Sequence, residues 1–426
     1  MAGSSPETGI TALSSDDHEA PAARRGGVLA PVLSKVDAKH LQAVVQIAAG
    51  LALNAFPAIF IAVFARVAPI DHQGQLAVSL TIGTYVAQLL SAFVVESRLA
   101  TPEADHDIAM PWWMALLSLG SGILLIVSPT VPAPVITLLG VLGLSSGLLM
   151  ARTIGVVQGR WRLEAVAAII LVAGCLSALL LAVHDNPNCV RVLAAGAMLA
   201  VLCRCWPRPS HRESGMPPDL RRAAWVTGET ASVGIVQPIL TSFILVVLGP
   251  AASVGFRVVS TISGVLEPVL AYGRVRQLAH GHKGEVAHVA LIFAAGVGGI
   301  VVAAYLGLWS LIFGPAWSHS LVPALVIACL WKATMLFSTV PFAALRRVGH
   351  TAKVFWLRAA GTALYVVLGL SFLYIFHTAT AVFASFVITE VIMFLPYHFA
   401  ARKAAPDYHS IFERKKSRDD SESETV

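Results

Sequence analysis

The sequence predicts an all-α polytopic membrane protein with about 12 transmembrane helices, arranged as two six-helix bundles. The mean hydropathy of +0.74 and the 13% share of charged residues exclude a soluble domain of this length. Apolar stretches of about 20 residues, the length that crosses a bilayer, recur along most of the chain. They lie at 40–66, 75–96, 110–128, 132–151, 164–183, 190–205, 223–248, 253–273, 286–313, 320–344, 354–376 and 379–400.

The distribution of positive charge predicts the orientation of these spans. With the N-terminus in the cytoplasm, 25 of the 30 Lys and Arg residues fall in cytoplasmic segments. Arg66 and Arg191 fall on the far side, and Arg257, Lys332 and Arg358 fall within spans. The asymmetry predicts an even number of spans and two cytoplasmic termini. The Ala-, Val-, Arg- and Gly-rich composition, without a cysteine framework, favours a bacterial plasma membrane.

The longest basic connection, at 207–222, is the predicted boundary between the two bundles. Residues 39–206 form the first predicted bundle and residues 223–401 the second. Residues 1–38 and 402–426 are predicted to be disordered cytoplasmic tails, because residues 1–28 are small and polar and the segment 402–426 runs from basic to acidic.

The two halves show weak self-similarity, which predicts an internal repeat. A shift of 181 residues aligns Pro69 with Pro250, and a shift of 190 aligns Gly159 with Gly349. Since each half contains an even number of spans, the repeats would be parallel and related by an axis along the membrane normal.

Several chemical functions are excluded by missing patterns. No Walker, Rossmann or zincin motif occurs, and the five cysteines have neither disulfide nor zinc spacing, so we expect no cofactor and no metal. The net charge of +6 comes from short basic loops, including Arg152, Arg160 and Arg204, which we expect to face anionic lipid headgroups rather than nucleic acid.

Four segments resemble a known family. They are ARVAPIDHQGQLAVSLTIGTYVAQLLS (65–91), VLGPAASVGFRVVSTISGVLEPV (247–269), SLIFGPAWSHSLVPALVIACL (310–330) and PFAALRRVGHTAKVFWLRAAGTALYVVLGL (341–370). The GP-x-x-x-x-G turn, the FG-x-x-W turn and the Arg/Gly turn within them are similar to those of the multidrug/oligosaccharidyl-lipid/polysaccharide exporter superfamily, in its polysaccharide flippase branch.

The resemblance implies a MATE-like, V-shaped transporter whose central cavity is lined mainly by spans 1, 2, 7 and 8. It also implies the cargo: a polyprenyl-diphosphate-linked oligosaccharide, moved from the cytoplasmic to the outer leaflet for cell-envelope polysaccharide assembly. The expected partners are this glycan lipid, the bilayer, and glycosyltransferases or a polymerase of the same pathway.

Ionisable residues inside the membrane are the first candidates for binding this cargo, because they are costly to place there. Arg257, near the outer end of the eighth span, is expected to contact the diphosphate; the alternative is snorkelling to the interface. Glu267 and Glu229 are candidates for cargo contact or proton coupling, or for tying two helices together. Further candidates for polar cavity lining are Gln237, Asn54, Gln46 and Gln88.

Two other features of the second bundle are predicted. Lys332 and Glu390 would form a structural ion pair near the midplane, with Arg358 as a rival partner. Pro238 and Pro268 would break the seventh and eighth spans near their middles.

Other functions remain as alternatives. A MATE-like drug or cation antiporter is disfavoured because the first span contains no Asp or Glu. A major-facilitator carrier is disfavoured because the loop 94–107 lacks paired arginines. A membrane enzyme is disfavoured because the short outer loops carry only Asp71 and Asp185 as carboxylates. A non-transporting scaffold of an envelope-glycan export complex stays open.

Overall fold

The computed structural model describes residues 38–99, 110–129, 131–205, 220–270, 283–348 and 350–404. These residues form helices and turns, with no strand among them. The described residues from Val44 onward form one compact unit. The two predicted tails lie almost entirely outside the described residues, as does the predicted linker up to residue 219.

The described residues of the first half contain six helices that overlap the first six predicted spans. They are α1 (Ala38–Val67), α2 (Ile70–Ser91), α3 (Trp112–Val127), α4 (Pro134–Val157), α5 (Trp161–Val183) and α6 (Cys189–Cys205). A π-helical turn, Ala92–Glu96, follows α2. Proline sets two of the starts: Pro69 precedes α2 and Pro134 opens α4, where a missing N–H costs nothing.

The second half is less regular. Its helices are α7a (Leu220–Gly234), α7b (Val236–Leu248), α8 (Pro250–Gly264), α9a (Lys283–Tyr305), α9b (Leu308–Phe313), α10 (Val322–Arg347), α11 (Thr351–Phe376) and α12 (Ala379–Ala404). The chain bends by 69° between α9a and the short helix after it, where Gly307 takes a φ of +76°.

The length and composition of the helices confirm the polytopic all-α class. Within the described residues, eight helices are long and apolar enough to cross a membrane, or nine if the bent pair is one span. Each of the twelve predicted stretches overlaps a helix, but α3, α6 and the described part of α8 are only 16, 17 and 15 residues long. These three helices are too short to be counted among the helices that can cross a membrane.

Outward-facing apolar side chains fit a lipid environment. On α5, Ile169, Leu176 and Leu180 are exposed at helical spacing. Buried residues such as Leu171 and Cys175 lie on the other side of the same helix. A helix with both faces apolar is typical of a membrane span.

α2 packs both within the first half and against the second half. In the first half α2 packs on α4, and α5 on α6; in the second half α12 packs on α10 and α11. α2 also packs on α7b and α8. A β-carbon at Gly74 would lie 2.8 Å from Leu245 and from Pro250, so glycine permits this close approach. Pro69 and Pro250 both stand at helix starts, whereas Gly349 lies outside the described residues.

Candidate functional site

A cavity of about 620 Å³ lies among the helices of the compact unit. Its lining comes from α1, α2, α7a, α7b, α8, α10, α11 and α12. The resemblance implied a lining by spans 1, 2, 7 and 8, and the structure adds the last three helices. The volume is in the range of sites that hold small molecules or headgroups.

Two helix breaks border the cavity. The seventh span breaks at Ile235, three residues before Pro238, and α8 ends in a turn at Val265 and Leu266, just before Pro268. Proline lacks an N–H and clashes with the carbonyl of the preceding turn, which accounts for both positions. Broken helices at membrane depth are tolerated where they line a cavity.

One face of α8 and of the turn after it supplies polar groups to the cavity. Arg257, Ser260, Thr261, Gly264 and Glu267 recur at helical spacing and all line it. Arg257 as a whole is half-buried, and the buried Nε of its guanidinium has no hydrogen-bond partner within the described part of the chain. The hydroxyl of Ser260, one turn further on, is buried without a partner there as well.

Lys332 on α10 forms an ion pair in the cavity wall. Its Nζ donates to Oε1 of Glu267 over 2.7 Å and lies 3.9 Å from the ring centre of Trp331. The two partners differ in exposure: the side chain of Lys332 is 5% exposed and that of Glu267 is 58% exposed. The lysine is therefore fixed in the wall, while the carboxylate reaches into the open space.

Glu390 on α12 is held by hydroxyl groups. It accepts a hydrogen bond from Tyr365 Oη at 2.5 Å and another from Ser338 Oγ at 2.9 Å. Tyr365 Oη in turn accepts from Trp331 Nε1 at 2.9 Å. These contacts make a continuous polar chain across α10, α11 and α12.

Arg358 on α11 pairs with Glu229 on α7a at 2.8 Å and stacks over the ring of Phe342. The sequence predicted that Lys332 would pair with Glu390, with Arg358 as the rival. The structure gives Lys332 the carboxylate of Glu267, because the break in α8 brings that residue against α10.

The other sequence candidates divide into two groups. Asn54, Gln88 and Gln237 line the cavity. Gln46 and Glu229 are not among its lining residues. The backbone carbonyl of Gln46 accepts a hydrogen bond from Nη2 of Arg152 at 3.3 Å.

Aromatic residues of the wall were missed by the sequence reasoning. Tyr85, Trp331, Tyr365 and Tyr397 all line the cavity. Their positions in apolar spans give no sequence signal that separates them from lipid-facing rings.

A second group of charges lies away from the cavity. Nε of Arg204 donates to both carboxylate oxygens of Glu164, at 3.1 and 3.2 Å, and both side chains are buried. Arg152 is near enough to act electrostatically on Glu164. The expectation that Arg204 faces lipid headgroups is therefore wrong, because this arginine points into the bundle toward a carboxylate on α5.

No protein-family model and no curated protein matches this chain. Among solved structures it is similar to an outward-facing multidrug resistance MATE family transporter of the MOP superfamily, with a TM-score of 0.50 and 14% identity over 84% of this chain and 93% of that one. An inward-facing MATE family transporter of that superfamily has a TM-score of 0.47 and 13% identity, over 85% and 95%. The first likeness confirms the MATE-like fold.

Proposed function

We propose that this chain is a membrane transporter that moves a polyprenyl-diphosphate-linked oligosaccharide from the cytoplasmic to the outer leaflet of a bacterial plasma membrane. The membrane-transporter part is supported by the MATE-like fold, the apolar helices and a polar cavity among them. A diphosphate and its sugars cannot cross hydrocarbon unaided, because they would lose their hydration. A cavity with polar walls supplies the missing contacts.

The observation that carries the choice of cargo is the state of Arg257. Among the described residues, three cationic side chains line the cavity, and two of them, Lys332 and Arg358, donate to carboxylates. Arg257 lines the same space, and its Nε finds no hydrogen-bond acceptor within the described residues. A guanidinium with unspent donors suits phosphate oxygens, which it can bind through two parallel hydrogen bonds.

The remaining lining fits the sugar part of such a cargo. Amide side chains of Asn54, Gln88 and Gln237 can donate to and accept from hydroxyl groups. Tyr85 on α2, in the first half of the chain, and Trp331 on α10, in the second half, offer aromatic surface to the cavity. A cationic drug is the alternative cargo, because the carboxylates of Glu267 and Glu390 line the same cavity. Glycosyltransferases and a polymerase that make and consume the glycan are the partners that this proposal implies.

Leaflet exchange in proteoliposomes tests the proposal. Purified protein is reconstituted with a labelled polyprenyl-diphosphate oligosaccharide, and an impermeant quencher reports the label that changes leaflet. We expect exchange well above that of protein-free vesicles, slowed about 10- to 100-fold by Arg257→Ala and less by Arg257→Lys. Arg191→Ala is the matched control, because Arg191 donates to Asn188 and Ser128 outside the cavity.

Each outcome of this assay has a separate meaning. Wild-type exchange no faster than in empty vesicles would overturn the proposed function. Exchange that persists in Arg257→Ala would keep the transporter and remove Arg257 as the headgroup site.

A further inference from the structure

We propose that Arg257 and Lys332 together form the diphosphate subsite, and that Glu267 occupies this subsite until the cargo displaces it. The inference rests on the proposed function, and it assigns a cargo-binding role to a lysine that the sequence reasoning treated as structural.

The position of Glu267 is the first argument. Its carboxylate is bound to Lys332 at 2.7 Å, and it also interacts electrostatically with Arg257. All three residues line the same cavity. One internal anion thus acts on two cations from different helices, as a phosphoryl group of the cargo would.

The difference in exposure shows which partner can leave. With 5% of its side chain exposed, Lys332 is buried beside Trp331 and cannot turn to water. A buried ammonium without a counter-ion is costly, so the lysine needs an anion in every state of the transport cycle. With 58% of its side chain exposed, Glu267 can exchange its ion pair for water.

The backbone around Glu267 also permits the exchange. The residue follows the turn at Val265 and Leu266, where the α-helix is interrupted, and it precedes Pro268. Regular helical hydrogen bonds do not hold this point of the chain as firmly as the middle of a helix. The carboxylate can therefore swing away once another anion reaches Lys332.

The subsite matches a diphosphate better than a single phosphate. Two cations of different kinds, a planar guanidinium and a compact ammonium, can each take one phosphoryl group. A monophosphate could satisfy only one of them while it displaces the same carboxylate. We therefore expect a preference for diphosphates.

Binding of farnesyl diphosphate to the full chain in nanodiscs tests the inference, with farnesyl monophosphate and farnesol as reference ligands. Removing the internal competitor with Glu267→Gln should tighten the binding of farnesyl diphosphate by roughly tenfold. Glu390→Gln is the matched control, because it also removes one carboxylate from the cavity wall. The carboxylate of Glu390 is held by Tyr365 and Ser338 rather than by Lys332, so its loss should change the affinity by less than about threefold.

The double variant Glu267→Gln/Lys332→Met isolates the lysine. If Lys332 binds the diphosphate, the gain from Glu267→Gln should be lost in this double variant. A gain that persists without the lysine, or an equal gain in Glu390→Gln, would overturn the two-cation subsite and leave only a general effect of charge.

Folding and function are separated by two further measurements. Monodispersity in size-exclusion chromatography checks each variant, and Glu267→Asp, which retracts the carboxylate by one methylene, should give an affinity between wild type and Glu267→Gln. Equal affinities in wild type and both Glu267 variants would overturn the inference even if wild-type leaflet exchange is fast. Absence of exchange would overturn the proposed function instead.

Discussion

The buried pair of Glu164 and Arg204 gives a quantitative prediction for stability. The side chains are 2% and 1% exposed, and Nε of the arginine contacts both carboxylate oxygens. Replacing Glu164 by Ala would leave a buried guanidinium without its counter-ion. Its Nη1 and Nη2 already lack partners within the described residues, and the charge of Arg152 is close by. Such a break costs about 3–5 kcal/mol.

A double substitution tests the reasoning behind this magnitude. Glu164→Leu/Arg204→Met removes both charges and keeps similar volumes, so the free energy of unfolding should stay within about 2 kcal/mol of wild type. Reversible unfolding by dodecyl sulfate in mixed micelles measures all three proteins under the same conditions. A cost below about 1 kcal/mol for Glu164→Ala would refute the account. So would a double variant that is as unstable as the single one.

Three further predictions use the same unfolding measurement. Arg66→Ala should cost about 2 kcal/mol, because this guanidinium donates at 2.7 and 2.8 Å to two carbonyls near the end of α9b; an unchanged stability would show that these bonds exchange freely with water. Gly74→Val should cost about 1–3 kcal/mol, because a β-carbon there would lie 2.8 Å from the first residue of α8, whereas Gly120→Val, with no atom within 4 Å, should cost less than about 1 kcal/mol. Equal costs at the two glycines would contradict the close approach. Tyr365→Phe should cost about 1.5–3 kcal/mol by removing a hydrogen bond to the carboxylate of Glu390, and a cost near zero would place that carboxylate in water.

The positions of the spans could be predicted from the sequence because each depends on local apolar composition. Every predicted stretch overlaps a helix or a broken helix pair. The breaks in the seventh and eighth spans were also predictable, since Pro238 and Pro268 act on the turn that precedes them. Span length was less predictable: α2 runs beyond its apolar core and starts five residues before the predicted stretch.

The partners of the charged residues could not be predicted from the sequence. Lys332 and Glu390 were paired because both lie near the middle of their spans. The actual partner of Lys332 depends on the direction that Glu267 takes after the break in α8, which is a property of the three-dimensional backbone. Arg204 stands beside a basic loop in the sequence, and only the packing of α5 on α6 brings Glu164 to it.

The cavity lining was predicted in part. Charged and amide residues were selected because they are rare in spans, and five of the seven selected as cavity candidates line the cavity. The aromatic residues Trp331 and Tyr365 were not distinguishable from lipid-facing rings, because apolar spans contain aromatics on every side. Their role in the wall depends on the hydrogen bond between them, at 2.9 Å.

Reversible blocking of the cavity tests the central claim, that cargo crosses the membrane through this space. A cysteine introduced by Gly264→Cys would line the cavity in open space, with no atom within 4 Å of its β-carbon, whereas none of the five native cysteines lines it. After labelling with a bulky methanethiosulfonate reagent, leaflet exchange of the labelled glycan lipid should fall to the level of protein-free vesicles, and dithiothreitol should restore it. Wild-type protein treated in the same way should keep its rate. Undiminished exchange with the introduced cysteine fully labelled would contradict the account.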